Sequence, residues 1–202
     1  MKKIAILDYG LGNILSLKNS LNYLGFDNFL LSTNPKKAFD CLIIPGVGSF
    51  SHAMKLIKKD KLDLINKTKE REILIIGICL GMQILTSKGF EGGKTKGLSL
   101  ISGLTSKLNR KENNKLPRVG WKKTFFKNND CFFSEFNNEK FYYIHSFKTE
   151  IKKKTDIIGH SFYGNKKIIS AINKKNIFGF QFHPEKSGEV GLELIKRLLQ
   201  KY

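Results

Sequence analysis

The fold is decided by the stretch Ile73-Leu74-Ile75-Ile76-Gly77-Ile78-Cys79-Leu80-Gly81, followed by Met82-Gln83-Ile84-Leu85. Its first part is an unbroken apolar run, which predicts a strand buried on both faces, as in a parallel sheet. The second stretch fits the first turns of a helix. A strand, a nucleophile between glycines and a helix form the pattern of a nucleophile elbow, here with Cys79 in place of serine. The alternative is a buried structural cysteine at the end of a core strand.

A second motif lies far downstream, at Gly179-Phe180-Gln181-Phe182-His183-Pro184-Glu185. The alternation from Phe178 to Phe182 predicts a strand that arrives at a loop. Residues two apart in extended chain point to the same side, so His183 and Glu185 can face one site. A thiol, an imidazole that takes its proton and a carboxylate that orients the imidazole form a cysteine triad. His-Pro-Glu alone is typical of an ordinary loop, but together with the elbow it favours catalysis.

A third motif offers the backbone hydrogen-bond donors that such a nucleophile requires. The apolar run Cys41-Leu42-Ile43-Ile44 is followed at once by Pro45-Gly46-Val47-Gly48-Ser49-Phe50. Glycines at a strand end let the backbone present N–H groups to a ligand, here to the oxyanion that develops when Cys79 attacks a carbonyl. Taken alone, this motif is equally typical of a tight turn into a helix.

The apolar patterns predict an α/β fold: a doubly wound, mostly parallel sheet with an added antiparallel layer. In the first part we expect strands at Lys3-Asp8, Phe29-Leu31, Cys41-Ile44 and Ile73-Ile78, and helical segments at Ile14-Leu24, Ala53-Ile57 and Leu62-Thr68. From Leu116 onward we expect antiparallel strands at Phe141-Thr149, Ile157-Tyr163 and Ile168-Ile172, before a closing helix at Val190-Leu199. With 202 residues, 41% of them hydrophobic, we expect a single domain over residues 1–202.

Composition narrows the class of protein. No apolar run is long enough to span a membrane and Met1-Lys2-Lys3 opens no signal-peptide pattern, so we expect a cytoplasmic protein with no membrane role. The three cysteines are odd in number and widely spaced, which argues against a disulfide framework. None of them has metal-ligand spacing, so no metal is expected.

The net charge of +19 raises the alternative of a basic nucleic-acid-binding protein. Only four of the 36 basic residues are arginines, and the lysines are spread over every segment instead of forming one patch. This pattern favours a solvated surface, and we expect no nucleic-acid partner.

Seven motifs follow one another along the chain: Asp8-Tyr9-Gly10-Leu11-Gly12-Asn13, Ile44 to Phe50, Gly77 to Gln83, Lys96 to Gly103, Pro117 to Trp121, Tyr142 to Ser146 and Gln181 to Ser187. Their joint occurrence in this order resembles the class I (triad-type) glutamine amidotransferases, most closely the glutaminase subunits of imidazole glycerol phosphate synthases. The resemblance covers nearly the whole chain. It implies the α/β fold, hydrolysis of glutamine to glutamate and ammonia, and no metal or organic cofactor.

The resemblance also implies roles for single residues. Cys79 would attack the side-chain amide carbon of glutamine, His183 would accept and later deliver a proton, and Glu185 would orient the imidazole ring. The backbone N–H groups of Val47 and Leu80 match the oxyanion donors. Positions that match substrate contacts are Gly48, Gln83, Glu91, His145, Ser146 and Phe147. Of these, Glu91 would receive the α-ammonium group, and residues 145–147 would receive the α-carboxylate largely through backbone groups.

A partner is implied by chemistry as well as by the resemblance. Ammonia released into neutral water is mostly protonated and is then no nucleophile, so a useful glutaminase passes it directly to a synthase. In the resembled branch the synthase is a (β/α)8-barrel cyclase of histidine biosynthesis, which forms a heterodimer with the glutaminase. Positions that match this interface are Asn13, Arg118, Trp121, Lys122 and Lys186.

Two departures leave the ammonia acceptor open. Arg118 and Lys122 replace the histidine and asparagine of the family's usual Pro-His-x-Gly-Trp-Asn, and charge changes in a docking loop select partners. The chain is therefore also compatible with a paralogous protein that supplies ammonia for amidino groups on a bacterial surface sugar. A stand-alone cysteine hydrolase is a further alternative, against which Gln83, Glu91 and the segment Tyr142-Ser146 together match an amino-acid pocket.

Overall fold

The computed structural model describes residues 2–32, 38–57, 59–109, 115–127 and 131–202. The strands are β1 (Lys3–Leu7), β2 (Asp27–Leu31), β3 (Cys41–Ile44), β4 (Leu74–Ile78), β5 (Lys88–Gly89), β6 (Thr95–Lys96), β7 (Gly103–Lys107), β8 (Arg118–Phe126), β9 (Glu139–His145), β10 (Phe147–Ile151), β11 (Ile157–Tyr163), β12 (Lys166–Lys174) and β13 (Ile177–Phe180). The helices are α1 (Ile14–Tyr23), α2 (Phe50–Leu56), α3 (Lys59–Glu70), α4 (Leu80–Ile84), α5 (Cys131–Ser134) and α6 (Gly188–Lys201), with 3-10 turns at Lys154–Asp156 and Pro184–Lys186.

Nine strands form one sheet in the order β2-β1-β3-β4-β13-β12-β11-β8-β9. The strands from β2 to β13 are parallel, and the remaining four continue the same sheet through antiparallel pairings. A second sheet has the order β10-β7-β5-β6. The predicted α/β class is confirmed. The antiparallel strands belong partly to the main sheet and partly to this smaller one.

The two faces of the parallel strands bury separate cores. On β1, Ile4 and Ile6 belong to one core, and Ala5 and Leu7 belong to the other. Helices α1 and α6 contribute to the first core, whereas α2, α3 and α4 contribute to the second. Successive side chains of a strand point to opposite faces, so a strand covered by helices on both sides must be apolar throughout. None of the helices among the described residues has the length and apolar character that a bilayer crossing requires.

One predicted strand, Phe141–Thr149, is two strands in the structure. β9 ends at His145 and pairs with β8, whereas β10 begins at Phe147 and pairs with β7 of the other sheet. Ser146 lies between them, and its carbonyl accepts a hydrogen bond of 2.9 Å from the N–H of Leu108. Alternation along a segment does not report which neighbour each half will pair with, so the sequence did not reveal this corner.

The carboxyl ends of three neighbouring parallel strands bring the predicted motifs together. β3 leads into residues 45–49, β4 leads into Cys79, and β13 leads into residues 181–185. Phe180 pairs with Ile78 across β13 and β4, and the N–H of Cys79 donates to the carbonyl of Phe180 at 2.7 Å. Segments that are remote in sequence therefore meet where α/β sheets bind ligands.

Gly81 should tolerate no side chain. A Cβ atom there would overlap the carbonyl oxygen of Ile44 at the end of β3. We expect Gly81→Ala to lower the free energy of unfolding by about 2 kcal/mol or more, because a backbone contact has no side-chain freedom to relieve the overlap. Urea denaturation followed by circular dichroism measures this change in the free energy of unfolding. Asn19→Ala on the exposed side of α1 is the control and should change stability by less than about 0.5 kcal/mol. Equal stability of Gly81→Ala and the control would contradict the prediction.

Candidate active site

The turn at Cys79 has the strained geometry that an elbow requires. Cys79 has φ +54° and ψ −108°, in a region that side chains with a Cβ seldom adopt, and α4 begins at the next residue. A Cβ atom at Gly77 would lie 2.8 Å from the backbone of Gly81. The glycines on both sides of Cys79 are thus required for the tight passage from strand to helix, which explains the spacing of the motif.

His183 and Glu185 lie together behind the sulfur. Nδ1 of His183 donates to Oε1 of Glu185 at 2.8 Å, and the two side chains are only 2% and 4% exposed. Burial lowers the pKa of His183, but the nearby Cys79 thiolate and the Glu185 carboxylate outweigh it and raise the pKa to about 10. Nε2 of His183 is buried and has no hydrogen-bond partner of ordinary length in the described part of the chain. Nε2 is therefore available to take a proton from the sulfur. A long contact does not argue against this role, because hydrogen bonds of a resting site often tighten only with substrate bound.

The sulfur of Cys79 has two polar neighbours that the sequence analysis did not assign. Nε2 of Gln181 donates to Sγ at 3.7 Å, and the carbonyl of Ile144 lies 3.8 Å from Sγ, where it accepts from the thiol. Gln181 also accepts a hydrogen bond from Nε2 of Gln83 at 3.1 Å. The amide donor of Gln181 stabilises a thiolate, and its place in the motif around His183 was the only signal for it.

A cavity of about 260 Å³ opens beside the sulfur. It is lined by Val47, Gly48, Cys79, Leu80, Gln83, Glu91, Pro117, Ile144, His145, Ser146 and Phe147. Both predicted oxyanion donors and all six predicted substrate-contact residues are in this lining. Leu80 is the first residue of α4, so its N–H has no partner within the helix and is available to a ligand. The structure thus brings the predicted pocket together around one nucleophile.

Two polar side chains of the cavity are held in place by the protein. Nε2 of Gln83 donates to the carbonyl of Phe147 at 3.2 Å as well as to Gln181, which leaves its Oε1 as an acceptor. Oε2 of Glu91 accepts from the N–H of Phe50 at 2.8 Å, the first residue of α2. Burial raises the pKa of Glu91, and the Phe50 hydrogen bond opposes this change. The cavity therefore offers both an amide acceptor and a carboxylate.

His145 is an uncharged member of the pocket. Its Nδ1 lies 2.7 Å from the carbonyl of Phe147, and its Nε2 lies 3.2 Å from Nη1 of Arg118. Burial lowers the pKa of His145 most strongly. The charges of Arg118 and His183 lower the pKa further, whereas the hydrogen bond to Phe147 raises it, and the resulting pKa is about 3. His145 therefore acts at neutral pH as a hydrogen-bonding group and not as a cation.

The predicted interface residues are partly exposed and partly internal. The side chain of Trp121 is 50% exposed and makes an edge contact with Tyr142, with ring centroids 6.3 Å apart. Lys122 and Lys186 are exposed. Asn13 is half-buried, and its Oδ1 accepts from the N–H of Ser16 at the start of α1, 3.4 Å away.

The expectation of a surface contact is wrong for the Arg118 side chain, which is only 3% exposed. Arg118 is the first residue of β8, and its guanidinium points into the molecule, where it lies 4.0 Å from the centroid of the Tyr143 ring. Its backbone pairs with His145 of β9. The prediction treated residues 117–122 as a single docking loop, but alternate residues of a strand face opposite sides.

The chain matches the family model of class-I glutamine amidotransferases over residues 5–201. The imidazole glycerol phosphate synthase subunit HisH of Caldanaerobacter subterraneus subsp. tengcongensis is 40% identical over 196 residues, which is 96% of this chain and 95% of that protein. The Lactococcus lactis protein of the same name is 37% identical over the full length of both chains.

Solved structures share the fold. PurLQS from Thermotoga maritima superposes with a TM-score of 0.76 at 21% identity, covering 100% of this chain and 99% of that one. A glutamine amidotransferase from the same organism has a TM-score of 0.64 at 16% identity, with 99% of this chain and 84% of that one covered. Together with the family match over nearly its whole length, this establishes that the chain belongs to the class-I glutamine amidotransferase family.

Proposed function

We propose that this protein is the glutaminase subunit of an imidazole glycerol phosphate synthase, with Cys79, His183 and Glu185 as its catalytic triad. The observation that carries the proposal is the buried His183–Glu185 pair beside a cysteine that opens into an amino-acid-sized cavity. At about 260 Å³ this cavity is small for a ligand pocket, as a free amino acid requires. The relatives at 37 and 40% identity bear the name of this synthase subunit.

The reaction follows from the geometry. The Cys79 thiolate adds to the side-chain amide carbon of glutamine, and the oxyanion that forms accepts hydrogen bonds from the N–H groups of Val47 and Leu80. The protonated His183 gives its proton to the leaving nitrogen, which departs as ammonia and leaves a γ-glutamyl thioester. Neutral His183 then takes a proton from water, which attacks the thioester and releases glutamate. Glu185 holds the imidazole ring throughout, through its bond to Nδ1.

Substrate recognition uses the polar groups of the cavity lining. The carboxylate of Glu91 pairs with the α-ammonium group of glutamine, while the free Oε1 of Gln83 accepts from its N–H groups. Gly48 leaves room for the side-chain amide, since it carries no Cβ. The backbone of residues 145–147 receives the α-carboxylate, and Phe147 makes its contacts to Gln83 and His145 through its carbonyl.

A partner protein completes the enzyme. Val47, Val119, Trp121 and Ile144 are large apolar side chains that are 40% or more exposed. Val47 and Ile144 also line the glutamine cavity, so a partner that covers this group would receive ammonia directly from the site. We assign this partner as a (β/α)8-barrel cyclase and expect Trp121, Lys122, Lys186 and Asn13 at the contact. We also propose that residues 1–202 act as one domain in the cytoplasm, where reducing conditions keep Cys79 a thiol.

The deciding experiment is co-purification with the barrel-type synthase of the same organism, followed by assays of the complex. We expect glutamate release from glutamine together with ring closure to imidazole glycerol phosphate. Glutamate release coupled to amidination of a sugar would overturn the histidine-pathway assignment. Hydrolysis of a peptide or ester by the chain alone would overturn the amidotransferase mechanism.

A glutamine-analogue electrophile should label Cys79 alone. Cys79 lines the cavity, whereas Cys41 is buried in the core, where burial raises the pKa of its thiol. Intact-mass spectrometry should show one adduct, which Cys79→Ser abolishes. Cys131→Ser is the matched control, because Cys131 is an exposed free cysteine outside the site, and it should be labelled like the unmodified protein. Labelling that survives in Cys79→Ser would contradict the assignment of the nucleophile.

Glu185→Gln should change the pH dependence of glutaminase activity. Loss of the carboxylate removes one of the interactions that raise the pKa of His183, so the imidazolium that protonates the leaving nitrogen is lost at lower pH. We expect the basic limb of the kcat/KM profile to move to lower pH and kcat/KM to fall by about 100-fold or more. Glu189→Gln, an exposed acid at the start of α6, should leave both unchanged. An unshifted basic limb in Glu185→Gln would disprove the orienting role.

Lys186→Glu should weaken assembly with the barrel cyclase while the fold stays intact. Lys186 is exposed, directly follows the triad carboxylate and lies two residues before Gly188, where a Cβ atom would be 3.8 Å from the Trp121 ring. We expect Kd to rise by about tenfold or more at low salt, because charge reversal replaces attraction by repulsion. Isothermal titration calorimetry measures Kd, and thermal unfolding checks the fold. Lys166→Glu, at an exposed position at the start of β12, should bind normally. Unchanged affinity of Lys186→Glu would remove this residue from the interface.

A further inference from the structure

The buried guanidinium of Arg118 has no acidic partner among the described residues. Nη2 donates to Oγ of Ser161 at 3.0 Å and to the carbonyl of Phe162 at 3.3 Å, and the ring of Tyr143 lies beneath the cation. The Tyr143 hydroxyl is in turn bonded to Thr124 at 2.6 Å. Burying a charge without a counter-ion is costly, so contacts to neutral groups on the two strands β9 and β11 indicate that the cation has a task at this position.

Arg118 selects the tautomer of His145. A guanidinium has only donors, so Nη1 donates to Nε2 of His145 across their 3.2 Å contact, and Nε2 carries no proton. The proton of the neutral ring is therefore on Nδ1, which donates to the carbonyl of Phe147 at 2.7 Å. The opposite tautomer would set two donors against each other at Arg118 and two acceptors against each other at Phe147.

The Phe147 carbonyl connects the His145 tautomer to the ligand cavity. It accepts from His145 and also from Nε2 of Gln83, which holds the corner between β9 and β10 against α4. The same bond orients the Gln83 amide so that its oxygen, and not its nitrogen, is left for a ligand. His145, Phe147 and Gln83 all line the cavity, whereas Arg118 does not.

We propose that Arg118 is a positioning residue for glutamine binding, which acts through the tautomer of His145 and the carbonyl of Phe147 on Gln83. The proposal rests on the glutaminase function proposed above, and it gives Arg118 a role behind the pocket lining instead of at the partner contact. The proposal also predicts how the effect of losing Arg118 divides between KM and kcat. Loss of Arg118 disturbs the lining residues that bind glutamine but leaves the sulfur, His183 and Glu185 in place. KM therefore changes more than kcat.

The first test is made on the unaltered chain with 15N-labelled histidine. The nuclear magnetic resonance spectrum should show protonated Nδ1 and unprotonated Nε2 for His145, assigned with His145→Gln, with no titration between about pH 5 and 8. The charged and titratable groups that face His145 are Arg118 on β8, His183 after β13 and Tyr143 on β9. A proton on Nε2, or titration near the ordinary pKa of histidine, overturns the proposal whatever the variants do.

The second test is steady-state glutaminase kinetics of the complex with the barrel cyclase. Arg118→Gln should raise KM for glutamine by about three- to tenfold, the weight of one hydrogen bond, and change kcat by less than about twofold. The pKa of its His145 should rise, because the Arg118 charge that lowers it is gone. Arg118→Lys keeps the charge and a donor to His145, so its KM should lie nearer that of the unaltered protein. Lys123→Gln removes an exposed cation from the same strand and should change neither quantity.

The outcomes separate the two proposals. A kcat loss in Arg118→Gln with KM and the His145 signals unchanged, or an equal KM rise in Arg118→Lys, overturns the positioning role. If Arg118→Gln does not fold, Arg118→Lys and the tautomer measurement still decide. An unaltered complex without glutaminase activity overturns the proposed function, and the His145 spectrum of the same sample separately decides whether Arg118 selects the tautomer.

Discussion

The site depends on the close approach of the elbow to the end of β3. A Cβ atom at Gly46 would lie 2.7 Å from the Cβ of Leu80 and 2.8 Å from the hydroxyl of Tyr9, and one at Gly81 would overlap Ile44. Only glycines permit this contact between backbones. It brings Val47 and Leu80, whose N–H groups are the proposed oxyanion donors, into the lining of the same cavity as Cys79. The positive φ of Cys79 therefore occurs where close backbone contacts of Gly46 and Gly81 hold the elbow against the end of β3.

The electrostatics of the site keep each group in one chemical form. Tyr9 remains a hydroxyl, because burial and the Cys79 thiolate both raise its pKa, and it donates to the Pro45 carbonyl at 2.6 Å. That bond holds the peptide that leads into Gly46. His145 remains neutral while His183 is readily protonated, although the two imidazoles are close enough for the charge of His183 to lower the pKa of His145. Burial lowers the pKa of both rings. The guanidinium lowers it further at His145, whereas Cys79 and the Glu185 carboxylate outweigh burial at His183.

The sequence predicted the proposed reactive and substrate-contact residues of the site better than the residues that hold them in place. Cys79, His183 and Glu185 were predicted because each residue type has a role that depends on local motif and spacing. Gln83, Glu91 and Phe147 came from resemblance alone, and the structure finds all three in the cavity lining. Gln181 and Tyr9 stood in quoted motifs without a role, since a hydrogen bond to a remote sulfur or carbonyl leaves no local pattern. Arg118 was placed on the surface, because which way a strand residue faces depends on neighbouring strands.

The sequence by itself determined the α/β class, the elbow and the residues proposed to react. These follow from local causes: apolar periodicity, glycine spacing and the chemistry of single side chains. Only the tertiary structure decided that β13 lies beside β4, that the chain changes sheets at Ser146, and that a guanidinium occupies the interior next to His145. The physical reason is that strand order and pairing are set by contacts between distant segments, whose energies depend on the whole packed core and not on any one stretch of chain.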